Sequence, residues 1–297
     1  MTTEPMIILV ASFGSALVAA LLAWGAARTW WRWDATAPSV ATGTVVEHAR
    51  RHYRLVQWVS AKFDPEVATG SLLAFMGVVA VVGGGAFGIV LTMVRTHRGF
   101  ADFDGAAARF GASHATAYST HVLRLVTQVG GAVILVPLTV VVGLVEVRRV
   151  RGWAALWFLA VVVGGQYAVA DAIKAIVDRT RPDILRLTGF SGPSFPSGHS
   201  TASAAAFAAF ALLAGRGRTH ATKAALLAAA VGGTVLISST RVLLGVHWLT
   251  DVVAGTLLGW TWFALASIAF GGRRLRFGAP AVTAERTVED VRNPSAA

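Results

Sequence analysis

Long apolar runs separated by short charged stretches limit what this chain of 297 residues can fold into. About seven runs are visible, at approximately residues 6–27, 67–94, 121–147, 153–177, 199–215, 223–240 and 247–270. A run of about 20 apolar residues is long enough to cross a bilayer as an α-helix. The fifth and sixth runs are shorter and rich in Ala and Gly, so we expect them to pack against other helices. The sequence therefore predicts an all-α, polytopic transmembrane bundle of about seven helices.

Composition and charge support a membrane protein rather than a soluble or nucleic-acid-binding one. Hydrophobic residues make up 55% of the chain and charged residues 14%, a balance that is rare in soluble domains. The net charge is +11, but the basic residues cluster between apolar runs, so we expect no nucleic-acid partner. With alternating helices, one side of the bilayer collects Arg28, Arg32, Arg50, Arg51, Arg54, Lys62, Arg148, Arg149, Arg151, Arg216, Arg218, Lys223 and the tail from Arg273. The positive-inside rule makes that side, and with it the C-terminus, cytoplasmic.

The chain is expected to divide into three parts. Residues 1–66 hold the first apolar run, retained as a helix, and a basic, Trp-rich connector at the cytoplasmic interface. Residues 67–272 hold the other runs, with the catalytic core at 171–255, and residues 273–297 form a polar, disordered cytoplasmic tail. The polar stretch 95–119 is predicted to be an external loop at a substrate entrance.

Metal and disulfide chemistry find little support in the sequence. Cysteine is absent, which excludes disulfides and thiolate metal sites. The histidines do not form a His-Glu-x-x-His zinc motif. We therefore expect a reaction with no metal and no cofactor.

Charged residues at the end of the fourth run form the first of three unusual pieces. Lys174 and Arg181-Pro182 stand there with Asp171 and Asp178, which are expected to balance the positive charge. Ionisable residues in membrane helices are functional candidates, although such charges can also reach the interface and Pro182 can simply end the helix. Lys174 and Arg181 are complementary phosphate ligands, because an ammonium is a mobile point charge and a guanidinium is a planar fork.

The second piece is the stretch from Gly192 to His199, Gly-Pro-Ser-Phe-Pro-Ser-Gly-His, directly before the fifth run. A turn at a helix start presents backbone N–H groups to an anion. Gly198 allows close approach, Ser197 can add a hydrogen bond, and His199 can exchange a proton near neutral pH. An ordinary helix start with an interfacial histidine is the structural alternative.

The third piece runs from Thr240-Arg241 to His247 and Asp251. On one helix, a spacing of four residues would put His247 and Asp251 on the same face. The carboxylate would then hold one imidazole nitrogen as N–H and leave the other lone pair for attack on phosphorus, while Arg241 adds a cation. A single histidine here would more often be a packing residue. Because all three pieces fall at the same end of successive predicted helices, we interpret them as one phosphate site.

Together, the three pieces resemble the signature of the type 2 phosphatidic acid phosphatase family in order and internal spacing. That family contains integral-membrane lipid phosphatases, soluble acid phosphatases and vanadium haloperoxidases on a shared helical core. The resemblance covers about 100 residues, from the fourth run to the seventh, and departs at Thr240, where the family usually has Ser. It implies a six-helix phosphatase core preceded here by an extra N-terminal helix.

The resemblance also implies roles for the site residues. His247 would attack phosphorus, Asp251 would orient it, and His199 would protonate the leaving oxygen and then activate water, with no metal. The expected phosphate ligands are Lys174, Arg181, Ser197, Gly198 and Arg241. The site would lie on the extracytoplasmic side of the cell membrane.

The substrate class follows from this location. A site at the outer interface can receive a phosphorylated lipid, such as phosphatidic acid, phosphatidylglycerol phosphate or a polyprenyl diphosphate. An outward-facing site in a bacterium favours a polyprenyl diphosphate such as undecaprenyl diphosphate. A lipid-linked phosphotransferase and a non-catalytic phospholipid or phosphate transporter stay open as alternatives. A haloperoxidase is the weaker reading, and the sequence leaves the oligomeric state open.

Overall fold

A computed structural model describes residues 6–34 and 68–271 of the chain, and its regular structure is helical. The helices are α1 (Ile7–Asp34), α2 (Ala68–Thr96), α3 (Asp104–Ser113), α4 (Ala117–Gln128), α5 (Ala132–Val150), α6 (Ala154–Val177), α7 (Gly198–Ala214), α8 (His220–Leu243) and α9 (Leu249–Phe270), with a 3-10 turn at Gly99–Phe103. Most of the predicted connector before residue 67 and the predicted tail from residue 273 lie outside the described residues.

Six segments of this part of the chain are long and apolar enough to cross a membrane. They are Ile7–Arg28, Leu72–Thr96, Ala117–Val150, Ala154–Val177, His220–Leu243 and Leu249–Phe270. Helix α7, from the fifth apolar run, is shorter at 17 residues. Each of the seven predicted runs is helical, so the predicted polytopic helical bundle is confirmed.

The third apolar run is not one continuous helix as the sequence suggested. It forms α4 and α5, which are separated by a turn at residues 129–131. Two glycines occupy this turn, and a Cβ on Gly130 would lie 2.4 Å from Ile237 Cγ2 on α8. The break therefore lets the chain pass close to α8.

The polar stretch 95–119 is also more ordered than the predicted loop. It contains the 3-10 turn and α3, and Asp104 and Ala108 are buried. A Cβ on Gly111 would lie 3.0 Å from the Leu243 backbone, so α3 packs directly on the end of α8. Small residues permit this contact. The polar composition of the stretch, on which the predicted loop rested, did not indicate it.

The short helix α7 lies at the centre of the bundle, packed against α5, α6, α8 and α9. Two glycines four residues apart bring α9 close to it: a Cβ on Gly255 would lie 2.6 Å from Ser197 O, and one on Gly259 2.4 Å from Thr201 O. Small residues at this spacing are a usual means of close helix packing in membranes. The contact fixes the start of α9 against the start of α7.

Helices α1 and α2 flank this centre. Helix α1 packs along α8, where Ser12 Oγ and Ser239 Oγ are 2.6 Å apart, and α2 packs along α9. Since α6 to α9 follow one another in antiparallel order, the end of α6, the start of α7, the end of α8 and the start of α9 share one end of the bundle. The three pieces of the predicted site lie there.

Candidate active site

The turn between α8 and α9 carries His247, whose surface is 3% exposed. Gly245 shapes this turn with a φ of 71°, and a Cβ there would lie 1.9 Å from Leu185 O. His247 precedes α9 instead of sharing it with Asp251, so the expected common helix face does not form. The two side chains still meet, because His247 Nδ1 lies 3.5 Å from Asp251 Oδ2, which also accepts from Trp248 N at 2.9 Å.

The neighbours of His247 select its protonation state. Nδ1 faces the Asp251 carboxylate, while Arg181 Nη1 lies 3.2 Å from Nε2 and can only donate to it. The hydrogen therefore belongs on Nδ1 and the lone pair on Nε2. Burial lowers the pKa of His247 to about 4, with further lowering by Arg181 and Arg241 and opposition from Asp251. The imidazole is therefore neutral at neutral pH.

The guanidinium of Arg181 is largely committed to the protein. Its donors reach the carbonyl oxygens of Ser191, Gly192, Pro193 and Val246 at 2.7–3.1 Å. Arg181 thus holds the loop before α7 against the His247 turn. To bind phosphate as expected from the sequence, it has to exchange some of these carbonyls for phosphate oxygens.

Arg241, near the end of α8, is buried beside the two histidines. Its Nη1 donates to Thr127 Oγ1 on α4 at 3.1 Å, and its Nε is buried without a hydrogen-bond partner among the described residues. A buried guanidinium with unused donors is costly, and an anion would satisfy it. The neighbouring Thr240 hydroxyl donates to Ile237 O in its own helix at 2.6 Å, so it is directed away from such an anion.

His199, in the first turn of α7, lies against the break between α4 and α5. A Cβ on Gly131 would lie 3.3 Å from His199 Nε2, so this glycine leaves room for the ring. The positive charges of Arg241, Lys174 and Arg181 all act on His199. The structure therefore brings the second histidine and the three predicted cations into one neighbourhood.

Lys174, Ser197 and Gly198 complete the predicted set. A Cβ on Gly198 would lie 3.4 Å from Lys174 Nζ, so the ammonium reaches the start of α7. Lys174 also pairs with Asp171 at 3.2 Å, as expected for a balancing carboxylate. The Ser197 N–H donates to Asp251 O at 3.0 Å and is not free for phosphate. Ser197 therefore joins α7 to α9.

Four residues in contact with this site were not assigned a role from the sequence. Arg179 Nη1 donates to Asp251 Oδ1 at 2.6 Å and Nη2 to Asp104 Oδ2 at 2.7 Å. Thr250 N donates to Asp104 Oδ1 at 2.8 Å, and the Ser194 hydroxyl makes a short hydrogen bond to Asp251 Oδ2. Arg179 and Ser194 stand inside the first two pieces, which was the available signal. Nothing local in the sequence marks Asp104.

An open cleft of about 800 Å³ adjoins the site on the loop before α7. Arg179, Arg181 and Arg186 line it, together with Phe190, whose ring lies 4.9 Å from Arg181 Cζ. Arg181 therefore connects the cleft with His247. Among the described residues, no group of three or more His, Asp or Glu side chains is arranged to hold a metal ion.

Comparisons with known proteins found a matching family model and a similar solved structure. Residues 155–275 match the PAP2 superfamily model. A crystal structure of a transmembrane PAP2-type phosphatidylglycerolphosphate phosphatase from Bacillus subtilis is similar, with 27% identity and a TM-score of 0.55, over 63% of this chain and 94% of that chain. Comparison with curated proteins gave no match.

The fold and the site define a helical, multi-pass membrane protein that acts on phosphoric esters. The chain resembles the type 2 phosphatidic acid phosphatase family in its three motifs, and the PAP2 superfamily model matches it over residues 155–275. It is accordingly a membrane lipid phosphatase, with a phosphorylated lipid as its substrate.

Proposed function

We propose that this phosphatase hydrolyses its lipid substrate through a phosphohistidine on His247. The observation that carries the proposal is the buried, neutral imidazole between Asp251 on Nδ1 and a guanidinium on Nε2. When phosphate oxygens draw the Arg181 donors away, the Nε2 lone pair becomes free to attack phosphorus. The positive charge that then develops on the imidazole is stabilised by Asp251.

His199 supplies the proton in this scheme. A phosphate dianion in the site offsets the cations around His199, which favours its protonated form. As the His247 Nε2–P bond forms, the P–O bond to the lipid breaks and His199 protonates the leaving oxygen. Neutral His199 then takes a proton from water, which attacks phosphorus, breaks the P–N bond and releases inorganic phosphate.

The remaining predicted residues stabilise the charge on the transferred phosphoryl group. Arg241 offers its unused donors, and Lys174 adds a mobile charge near the Gly198 backbone. Arg181 joins them after exchanging its carbonyl partners. Ser197 fixes the start of α7 to α9, and its hydroxyl can donate a hydrogen bond to phosphate.

Helix α4 bears on the choice of substrate because its far end meets His199, the residue that faces the leaving group. The helix has a buried face, an exposed apolar face and an exposed polar face. The buried face comprises Ser119, Thr120, Leu123 and Thr127. The exposed apolar face comprises Tyr118 and Leu125, and the exposed polar face comprises His121, Arg124 and Gln128. The polar face borders the loop before α7 that lines the cleft, since Arg124 Nε donates to Leu187 O at 2.5 Å.

This polar face suits a leaving group that carries its own negative charge. The hydrogen bond of Arg124 to Leu187 uses Nε, which leaves the two Nη groups for an anion. Polyprenyl diphosphate has a second phosphate bonded directly to the scissile one, and phosphatidylglycerol phosphate has a phosphodiester one glycerol away, whereas phosphatidic acid has no second phosphate. We therefore assign the enzyme to lipids that carry a second phosphate, with a polyprenyl diphosphate preferred for an outward-facing site.

The charge distribution supports that orientation. The end of α5 and the turn between α7 and α8 carry Arg148, Arg149, Arg151, Arg216 and Arg218, and both lie opposite the site. By the positive-inside rule that end faces the cytoplasm and the active site faces outward.

Phosphate release by the purified protein in detergent with a chelator tests the proposal. We expect the wild type to release phosphate from lipid diphosphates, and His247→Ala to lose this activity. With an aryl phosphate, whose leaving oxygen needs no proton, His199→Ala is expected to accumulate an acid-labile phosphoenzyme, because the base for the second step is missing. Wild-type activity in His247→Ala would refute the mechanism, and transfer of labelled phosphate to a lipid acceptor would indicate a phosphotransferase instead.

The same phosphate-release assay, applied to three lipids, tests the substrate assignment. Arg124→Gln is expected to lower kcat/KM about tenfold for the two lipids with a second phosphate and to leave phosphatidic acid unchanged, because one charged hydrogen bond is lost. Arg95→Gln, an exposed arginine at the end of α2, is the matched control. Equal losses for all three lipids would contradict the assignment.

A further inference from the structure

We infer that Asp104 and Arg179 are positioning residues, which set the direction and the charge of the Asp251 carboxylate and through it the reactivity of His247. This inference rests on the proposed role of His247. Its basis is a chain of buried contacts from Asp104, which lies outside the three motifs, through Arg179 to Asp251.

Arg179 bridges two buried carboxylates. Nη1 lies 2.6 Å from Asp251 Oδ1 and Nη2 lies 2.7 Å from Asp104 Oδ2. The side chains are 14% exposed for Arg179, 6% for Asp104 and 0% for Asp251. Because a guanidinium is a rigid planar fork, its two contacts fix the relative orientation of both carboxylates.

The contacts of Asp251 leave it one orientation. Oδ1 accepts from Arg179, and Oδ2 accepts from the Ser194 hydroxyl and from Trp248 N. The same Oδ2 lies 3.5 Å from His247 Nδ1. Without Arg179, Oδ1 would be a buried oxygen without its charged partner, and the carboxylate could rotate away from the imidazole.

Asp104 contributes charge as well as position. Its Oδ1 accepts from Thr250 N at 2.8 Å and its Oδ2 from Thr250 Oγ1 at 2.7 Å, which ties α3 to the first turn of α9. A carboxylate is favourable at this helix start. Asp104 also shares Arg179 with Asp251, so the guanidinium does not neutralise Asp251 alone.

This shared charge matters at the step in which His247 becomes phosphorylated. The imidazole gains positive charge there, and Asp251 stabilises it only to the extent that its own negative charge is uncompensated. Asp104 offsets Arg179 and thereby preserves that charge. The segment predicted as an entrance loop thus reaches the catalytic carboxylate through Arg179.

The test compares Asp104→Asn, Arg179→Gln and Arg179→Lys with two controls in the full-length protein in detergent. Asp102→Asn removes an exposed carboxylate two residues from Asp104, and Arg109→Lys changes an exposed arginine on α3, outside the cleft and the chain of contacts. The readouts are kcat, KM and the rate of phosphoenzyme formation after rapid mixing. All rates are scaled to the folded fraction, determined by thermal unfolding.

We expect each of the three variants to lower kcat by about 10- to 100-fold, as is typical when groups that orient a catalytic residue are removed. KM is expected to stay within about threefold of wild type, and the loss is expected in formation of the phosphoenzyme rather than its hydrolysis. Arg179→Lys keeps the charge but cannot hold both carboxylates, so it should recover little. The two controls should match wild type.

Asp104→Asn has nearly the volume of the native side chain, so it separates charge from folding. Wild-type phosphorylation rates in folded Asp104→Asn would overturn the inference, and so would a rise in KM at constant kcat. A wild-type kcat in Arg179→Lys would show that Arg179 does not need to bridge Asp104 and Asp251. If His247→Ala retains activity, the proposed function fails instead; if His247→Ala is inactive and Asp104→Asn is normal, only the present inference fails.

Discussion

The two ends of the bundle both place arginines beside a buried carboxylate, but they do so differently. At the site, Arg179 approaches Asp251 to 2.6 Å, and both groups are well enclosed. At the other end, Glu146 lies 3.4 Å from Arg149 and 3.8 Å from Arg216, and Arg149 is 40% exposed. Glu146 Oε2 and Arg216 Nη1 are buried there without a hydrogen bond among the described residues.

This difference separates a carboxylate that is held in one direction from one that only balances charge. Short, directional hydrogen bonds to a guanidinium restrict both partners, whereas a long hydrogen bond of 3.4 Å to a partly exposed arginine and an ion pair at 3.8 Å contribute little energy and little orientation. The Glu146 cluster suits a membrane end where arginines set topology. The Asp251 cluster suits a reaction that depends on the angle of an imidazole.

The largest contrast is expected between Asp251→Asn and Glu146→Gln. The amide in Asp251→Asn cannot stabilise a positive imidazole and can favour the wrong tautomer, so kcat should fall by about 10³- to 10⁴-fold. Glu146→Gln keeps the shape of a side chain that holds nothing catalytic, and kcat should change less than about twofold. Steady-state phosphate release measures both.

Thermal unfolding in detergent provides the control for this pair, because both variants remove a buried charge from an ion pair. The comparison of the two ends would be wrong if Glu146→Gln lost activity in proportion to Asp251→Asn while both remained folded. A loss in Glu146→Gln that followed only its unfolding would not affect the assignment of the site.

The sequence was sufficient to predict most of the helices and to select charged and polar residues that the fold brings to one end of the bundle. Apolar runs long enough to span a bilayer indicate helices directly, but the spacing of His247 and Asp251 did not indicate how the two side chains meet. Asp104 was out of reach because it is 75 residues from Arg179 and 146 from Thr250. A contact between such distant residues depends on the packing of α3 against α8 and α9, which no local pattern contains.

Side-chain direction was the second thing the sequence could not give. Thr240 has the expected hydroxyl, but its hydrogen bond goes to its own helix. Arg181 is a suitable phosphate ligand by type, yet carbonyl oxygens occupy its donors. Gly131 lies beside His199, and this position depends on a helix break that apolarity alone does not indicate.

A smaller contrast is expected between Gly255→Ala and Gly143→Ala. A Cβ on Gly255 would lie 2.6 Å from the backbone oxygen of Ser197, at the site, whereas one on Gly143 would meet the flexible end of Leu156 at 2.4 Å. Gly255→Ala should destabilise by about 1–3 kcal/mol through overpacking and reduce kcat roughly tenfold by shifting α7. Gly143→Ala should leave kcat unchanged, and a comparable loss there would contradict the contrast between the ends.

The smallest expected effect is the response of the site to acid. Because burial lowers the pKa of His247 to about 4, lowering the pH from 7 to 5 should protonate only about a tenth of it in the free enzyme. With an aryl phosphate, whose leaving oxygen needs no proton from His199, and once corrected for ionisation of the substrate, kcat/KM should change less than about twofold over this range and fall about tenfold per unit below pH 4. An ordinary histidine, with a pKa near 6.5, would lose about 30-fold by pH 5. Glu146→Gln should give the same profile as wild type, since its carboxylate lies at the other end. An acid limb near pH 6.5 in both proteins would show that His247 is not the neutral, buried nucleophile on which the difference between the two ends depends.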